Sequence, residues 1–363
     1  MSEIQMKWQR DEFPRFPVTS VEPGQTGKGI VVRSSNWLGD AVMTLPALKQ
    51  LRTILPPQAG LFVISPKGLV PLYQSLGSLV DAVVPLKDAH AFPDFSEYAA
   101  IRKLGARTGV LFNNSFRDAL ALRLAGVKNL YGAKARNRSW LLRSSWTFPK
   151  RLDHELNYPH QSAKYLAMIY ALGGELWDGK MPEITPAADW NGVCGKLLPG
   201  QNCENILAIA PGAAYGDGKR WAAESFRAVA AAWLDKCADG CVLALGSKAE
   251  LPGCEEALRG LPPSRVFNLA GKTTLDELMV ILQHVQYCVA NDSGIMHLSG
   301  TVGGRGIAVY GSTDPAATSP ISEHWTLLYD KLPCSPCFKR NCPLGTKACL
   351  DRIKPQSVID LLV

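Results

Sequence analysis

Three short segments carry residue types that could do chemistry. Pro211 to Trp221 reads PGAAYGDGKRW. Gly212, Gly216 and Gly218 let the backbone turn N–H groups toward a ligand, and Lys219 adds a full positive charge. An anion such as a diphosphate suits that combination; a glycine-rich turn with an exposed lysine is the plainer alternative. The segment is neither a Walker A loop nor G-x-G-x-x-G, since Ala213 stands where a glycine is needed and Arg220 where Ser or Thr is needed. Asn291 to Gly300 reads NDSGIMHLSG. Here Asp292 or Ser293 could cap a helix, or the Ser293 and Gly294 backbone could donate to phosphate, with His297 one turn further on. Ser34 to Leu48 reads SSNWLGDAVMTLPAL. Gly39 permits close backbone approach, and Asp40 is either a helix N-cap or a carboxylate able to act as a general base.

Each segment follows an apolar run and precedes a helical pattern. Gly29–Arg33, Leu61–Ser65, Ala82–Pro85 and Thr108–Phe112 read as strands, with helices from Asp40 through Leu51 and from Phe116 to Ala125. The second half repeats the scheme. Strands are expected at Ile206–Ala210, Val242–Leu245, Val266–Asn268, Tyr287–Ala290 and Gly306–Tyr310. Helices are expected at Ala223–Leu234, Glu250–Leu258, Thr274–Leu282 and from Asp292. Alternation of strand and helix predicts an α/β chain with two Rossmann-like domains, whose parallel sheets face a central cleft. The expected boundaries are an extension at 1–28, a first domain at 29–180, a linker at 181–201, a second domain at 202–345 and a C-terminal segment at 346–363. In open parallel sheets ligands bind beyond the carboxyl ends of the strands, where all three segments fall.

The 363 residues suit two cores rather than one. No apolar run reaches the roughly 20 residues of a membrane helix, and the polar start of the chain lacks the apolar centre of a secretory signal. A cytoplasmic protein is expected, with contact at the inner face of a membrane left open. The net charge is +7 and unevenly spread. Ala119 to Leu152 has no Asp or Glu but holds Arg123, Lys128, Lys134, Arg136, Arg138, Arg143, Lys150 and Arg151, interleaved with Trp140 and Trp146. This is either a solvated basic face or a surface for anionic partners; no nucleic-acid-binding module accompanies it, which favours lipid phosphate and excludes nucleic acid as partner. Of ten cysteines, Cys194, Cys203, Cys237, Cys241, Cys254 and Cys288 are scattered, and no disulfide framework is expected. Cys334, Cys337, Cys342 and Cys349 cluster as C-x2-C-x4-C-x6-C, a spacing open to zinc, iron–sulfur or packed free thiols; packed thiols are favoured, and no metal is assigned.

Taken in order, the segments resemble the heptosyltransferases, a family of GT-B glycosyltransferases. The resemblance rests on Asn36 to Asp40 with Thr44 to Leu48, Pro211 to Gly216 with Lys219-Arg220-Trp221, Asn268 to Thr273, Asn291 to Gly294 with His297, and Tyr310 to Pro315. The tail from Leu332 to Cys349 is similar to that of the heptosyltransferase II branch, and Asn113 to Arg117 resembles the family's acceptor-side segment. Ala222, where the family often has proline, and Gly304-Arg305-Gly306 depart from the pattern.

The resemblance implies inverting transfer from ADP-L-glycero-D-manno-heptose, a donor substrate rather than a cofactor, to the inner core of lipopolysaccharide. It implies Asp40 as general base and Gly212, Gly216, Lys219, Asp292, Ser293, Gly294 and His297 around the nucleotide sugar. By the resemblance Asn114 and Arg117, and by the charge of their stretch Arg136, Arg138 and Arg143, would face a phosphorylated glycolipid acceptor. No cofactor is implied. Competing readings are a relative within the family using another acceptor or sugar, a non-catalytic anionic-lipid binding protein, and a dinucleotide-dependent oxidoreductase. The last is disfavoured because no G-x-G-x-x-G opens either half.

Overall fold

The computed structural model describes residues 19–148, 160–200 and 204–362. The chain divides into two compact units, the first ending at Thr185 and the second beginning at Pro186.

In the N-terminal unit the strands are β1 (Gly29–Arg33), β2 (Gly60–Pro66), β3 (Ala82–Leu86), β4 (Thr108–Leu111), β5 (Asn129–Ala133) and β6 (Ser144–Trp146). They form one sheet in the order β3-β2-β1-β4-β5-β6, and every pairing is parallel. All five residues of β1 and all four of β4 are buried, which is why these strands read as unbroken apolar runs. Val31, Ile64, Leu111, Leu122 and Leu130 pack in one core.

The C-terminal unit holds β7 (Ile206–Ala210), β8 (Cys241–Ala244), β9 (Val266–Asn268), β10 (Tyr287–Asn291), β11 (Gly306–Tyr310) and β12 (Trp325–Tyr329). Their order is β12-β11-β10-β7-β8-β9, again all parallel. Both sheets therefore share one wiring: the first strand lies centrally, and the order in which strands are added switches sides between the third and the fourth. That switch leaves a crevice at the carboxyl ends of β1 and β4, and another at those of β7 and β10.

Several sequence expectations are corrected. The basic stretch is not a bare charged face. It contains β5 and β6, with Leu130 and Tyr131 fully buried and the Trp146 ring stacked on Tyr131 at 6.3 Å. The helix expected from Asp40 through Leu51 is two helices, Leu38–Met43 and Leu45–Arg52, broken at Thr44. Pro46 lacks the N–H that a continuous helix would use, so the break falls just before it. Asp40 is not the N-cap. Trp37 holds that position, and Asp40 lies within the first turn.

The span read as a linker contains a helix, Trp190–Leu197, whose N-cap Asp189 accepts from Gly192 N–H at 2.9 Å. Trp190 stacks on His284 at 4.5 Å, so the helix packs on the C-terminal unit. Leu350, Ile353, Val358 and Leu362 of the final segment enter that unit's core beside Phe226 and Trp233. Cys194 is disulfide-bonded. The four clustered cysteines are free. Lys150, Arg151 and Cys203 lie outside the described residues.

Candidate active site

The crevice of the N-terminal unit is built by the residues that follow β1 and β4. Arg33 ends β1 with its side chain buried, and its Nε meets Asp118 Oδ2 at 3.0 Å. Its Nη1 donates to Ser34 O at 2.7 Å and its Nη2 to Asn36 Oδ1 at 2.8 Å. Asp118 also accepts from Asn113 Nδ2, in the loop after β4, at 2.5 Å. One buried ion pair thus ties together the loops at both strand ends.

Asp40 stands just beyond, half-buried, and its Oδ1 accepts from Gln161 Nε2 at 2.5 Å. Gln161 opens the helix Gln161–Ala171, which Ser162 fastens to the end of Leu38–Met43 by donating Oγ–H to Met43 O at 2.7 Å. From the same helix, Lys164 is pulled below the ordinary lysine range by burial, while the charge of Asp40 acts in the opposite direction. Asp40 is therefore a carboxylate held by an amide beside a lysine. None of the helix 161–171 partners was anticipated. The signal was present, because Ala163, Leu166, Ala167 and Tyr170 recur at helical spacing and Gly173 follows as a left-handed terminator at φ 95°.

The arginines named from sequence separate into two kinds. Arg136 and Arg143 are exposed. Arg138 is not a surface contact, and its placement there is corrected: it is completely buried. Its guanidinium donates to Ala133 O at 3.0 Å and Ser115 O at 3.2 Å, which satisfies it internally. Burial lowers its pKa to about 10, with Asp118 raising it, so it stays charged at neutral pH. Arg117 also looks inward, donating to Ala89 O at 2.8 Å and to His90 O, and so braces the loop after β3. Asn114 is exposed at the carboxyl end of β4.

The C-terminal crevice is stitched by a residue whose role was not foreseen. Asn291 ends β10 fully buried. Its Nδ2 donates to Pro211 O at 2.8 Å, and its Oδ1 accepts from Trp221 N–H at 3.0 Å. A single side chain so fixes both ends of the loop after β7. Within that loop Lys219 Nζ meets Asp292 Oδ2 at 2.7 Å, with both side chains largely buried. Thr313 and Thr318 donate Oγ1–H to the same oxygen at 2.6 and 3.1 Å. Burial alone would raise the Asp292 carboxyl, but Lys219, His297 and the Thr313 hydroxyl outweigh it and hold the group below its usual range. Gly216 adopts φ 152°, in the region that favours glycine. Gly212 lies against Glu250, where an added Cβ would sit 2.2 Å from Oε1.

Ser293 occupies the N-cap of the helix Gly294–Thr301 but makes no side-chain cap bond. Its Oγ is buried without a partner, as is His297 Nδ1. Buried polar atoms without partners are costly, and at the mouth of a sheet they are the atoms a polar ligand would satisfy. His297 Nε2 lies 3.8 Å from Asp292 Oδ1. Burial pushes its pKa down to about 4, against the raising effect of Asp292. The imidazole is thus neutral at physiological pH. Unfolded, it would take a proton near pH 6.5, so its contribution to stability is complete at neutral pH and is lost as pH falls from about 6.5 to about 4. His297→Gln should flatten that part of the acid-induced fall in unfolding free energy, measured by urea titration across this window. An unchanged fall would show that the ring is not held neutral.

Two doubly wound parallel sheets, one crevice holding a carboxylate and the other a buried lysine, give the chain a GT-B-like α/β fold. The family profile of glycosyltransferase family 9 (heptosyltransferase) matches residues 98–348. The chain belongs to that family. Lipooligosaccharide heptosyltransferase 2 of Campylobacter jejuni subsp. jejuni serotype O:6 (strain 81116) is 28% identical over 352 residues, 91% of this chain and 97% of that protein. Lipopolysaccharide heptosyltransferase 2 of Escherichia coli (strain K12) is 26% identical over 310 residues, 81% and 85% of the two chains. The solved structure of E. coli ADP-heptose lps heptosyltransferase II superposes with a TM-score of 0.76 at 23% identity, covering 92% of this chain and 97% of that one.

Proposed function

We propose that this glycosyltransferase moves L-glycero-D-manno-heptose from ADP-heptose to the inner core of lipopolysaccharide, with inversion at the transferred carbon. The near-complete coverage of relatives named heptosyltransferase 2 supports the substrate class. The observation that carries the reading is the C-terminal crevice, where Lys219 is held by Asp292 beside the unpartnered Ser293 Oγ.

In this reading the donor's sugar carbon becomes oxocarbenium-like as ADP departs. Lys219 and the backbone donors of Ser293 and Gly294 take up the charge growing on the diphosphate. Asp40 accepts the proton of the attacking acceptor hydroxyl. No second carboxylate is needed to protonate the leaving group, because a nucleoside diphosphate already leaves well; glycosidases differ in this. Replacing Lys219 by Ala should raise KM for the nucleotide sugar and lower kcat, because the contact tightens as charge develops. Unaltered kinetics would reduce Lys219 to a structural partner of Asp292.

The decisive experiment offers a panel of nucleotide sugars with a lipopolysaccharide acceptor and weighs the product. The expected result is one heptose added from ADP-heptose alone. Efficient transfer from a different nucleotide sugar, with none from ADP-heptose, would overturn the assignment.

The same reading places the protein in the cytoplasm, peripherally on the inner face of the membrane that carries its acceptor. Among the described residues no helix is long and apolar enough to cross a membrane. Exposed Arg136 and Arg143, with Trp140 70% exposed between them, suit an anionic lipid surface. Changing both arginines to Gln should weaken binding to phosphatidylglycerol vesicles and leave ADP binding intact. Equal vesicle binding by variant and parent would remove the membrane contact.

A further inference from the structure

The cysteine-bearing loop after β12 is not a peripheral tail. It lies directly on the glycine loop that carries Lys219. Gly218 N–H donates to Arg340 O at 2.7 Å, and Tyr215 OH donates to Phe338 O at 2.9 Å. Phe338 N–H in turn donates to Ser312 O at 2.7 Å. The two backbones touch so closely that side chains are excluded. A Cβ on Gly216 would stand 2.5 Å from Arg340 O, and one on Gly218 would stand 2.6 Å from Lys339 O. Lys347 closes the contact by pairing with Asp217 at 3.3 Å. The glycines at 216 and 218 therefore serve close approach of this loop as well as backbone freedom.

That packing delivers a second cation. Arg340 Cζ lies 5.4 Å from the centroid of the Tyr215 ring, and Lys219 Nζ lies 5.2 Å from the same centroid. Both charges are thus within reach of one aromatic ring. Their situations differ. Lys219 is buried against Asp292, whereas Arg340 is exposed and has no carboxylate partner among the described residues. Beside them Ser312 Oγ is buried without a partner and lies 3.2 Å from the position a Cβ on Gly218 would take. Lys219 alone is a poor match to a diphosphate, because Asp292 already neutralises much of its charge. A guanidinium with no carboxylate partner supplies the missing charge, and its planar fork fits two phosphate oxygens at once.

We propose that Arg340 is a diphosphate-binding residue, carried into the donor site by the cysteine-bearing loop. The inference rests on the reading of the Lys219 loop as the diphosphate site. It adds a ligand from a segment more than a hundred residues away and gives that segment a part in the reaction: Arg340 holds the nucleoside diphosphate both as donor and as leaving group.

The test is calorimetric titration of ADP and AMP into the parent and into Arg340→Ala, Arg340→Lys and Lys219→Ala, with melting temperatures alongside. Arg340→Ala should weaken ADP by about tenfold, the loss of one charge-assisted contact. It should weaken AMP much less, since AMP lacks the second phosphate, and Arg340→Lys should recover part of the loss. If Arg340→Ala binds ADP like the parent while Lys219→Ala binds it weakly, the diphosphate site stands and Arg340 is not in it. If neither variant loses ADP affinity, the underlying reading of the loop fails too. A fall shared equally by ADP and AMP, with a lower melting temperature, would make Arg340 a brace for the loop and overturn the cation role.

Discussion

Asp40→Asn should fold, bind ADP and fail to transfer sugar. The amide keeps the shape of the side chain, and its oxygen can still accept from Gln161 Nε2, which now meets Asp40 Oδ1 at 2.5 Å. Asp40 is not the N-cap of its helix, so the substitution removes no cap. What disappears is the ability to take a proton from the acceptor hydroxyl. Positioned bases contribute about 10²–10⁴-fold, so kcat should fall by at least about 10²-fold. The proposed diphosphate ligands Lys219 and Arg340 belong to the C-terminal unit, and ADP affinity should stay at the parent value. Near-parental turnover by a well-folded variant would leave Asp40 as no more than a partner of Gln161.

The largest effect on stability is expected at Asp118. Its carboxylate is 5% exposed and pairs with Arg33 Nε at 3.0 Å, and the Arg33 side chain is 2% exposed. Asp118→Ala leaves a buried guanidinium without its counter-charge, a loss of about 3–5 kcal/mol in comparable pairs. It also frees Asn113, so the loop after β4 loses its tether. Urea unfolding should show the deficit. The double substitution Arg33→Met with Asp118→Leu should recover part of it, because the burial penalty of Arg33 goes with its charge, while buried Arg138 still lacks the support of Asp118. A midpoint for Asp118→Ala matching the parent's would mean that the pair contributes nothing, and a double variant no better than the single would point to packing instead of charge.

How far the sequence reveals this molecule depends on where each interaction closes. Gly29–Arg33, Ile206–Ala210 and Gly306–Tyr310 are legible because strands buried on both faces need apolar residues without interruption. β5, β6 and β12 escape notice. The first two sit among lysines and arginines whose charged ends flank short buried stretches, and β12 carries no chemical motif to draw attention to it. The glycine loop and the Asn-Asp-Ser-Gly turn are visible because a loop built for an anion needs glycine and charge in one local stretch. The partners that complete the site are not local. Gln161 reaches Asp40 across 121 positions, and Asn291 reaches Pro211 across 80. Nothing in the residues around Arg340 announces that its carbonyl will meet Gly218. Arg138 misleads for the opposite reason: a charge in a basic run looks solvated, and only the fold shows three carbonyl and amide oxygens waiting for it.

The loop beside the glycine loop bears three free thiols, with a fourth, Cys349, in the short helix Ala348–Asp351 that follows, and Cys334 is exposed. Backbone N–H groups from Leu344 to Lys347 lower the Cys342 thiol below its ordinary range, which favours the reactive thiolate. Reagents that attack sulfur would act on the element that presses Arg340 O against Gly218, within a few residues of Arg340 itself. Oxidation at these thiols is expected to weaken ADP binding, which titration of one preparation with and without reductant would show. Shelf life, and the choice of buffer for any assay of this enzyme, follow from where those sulfur atoms sit.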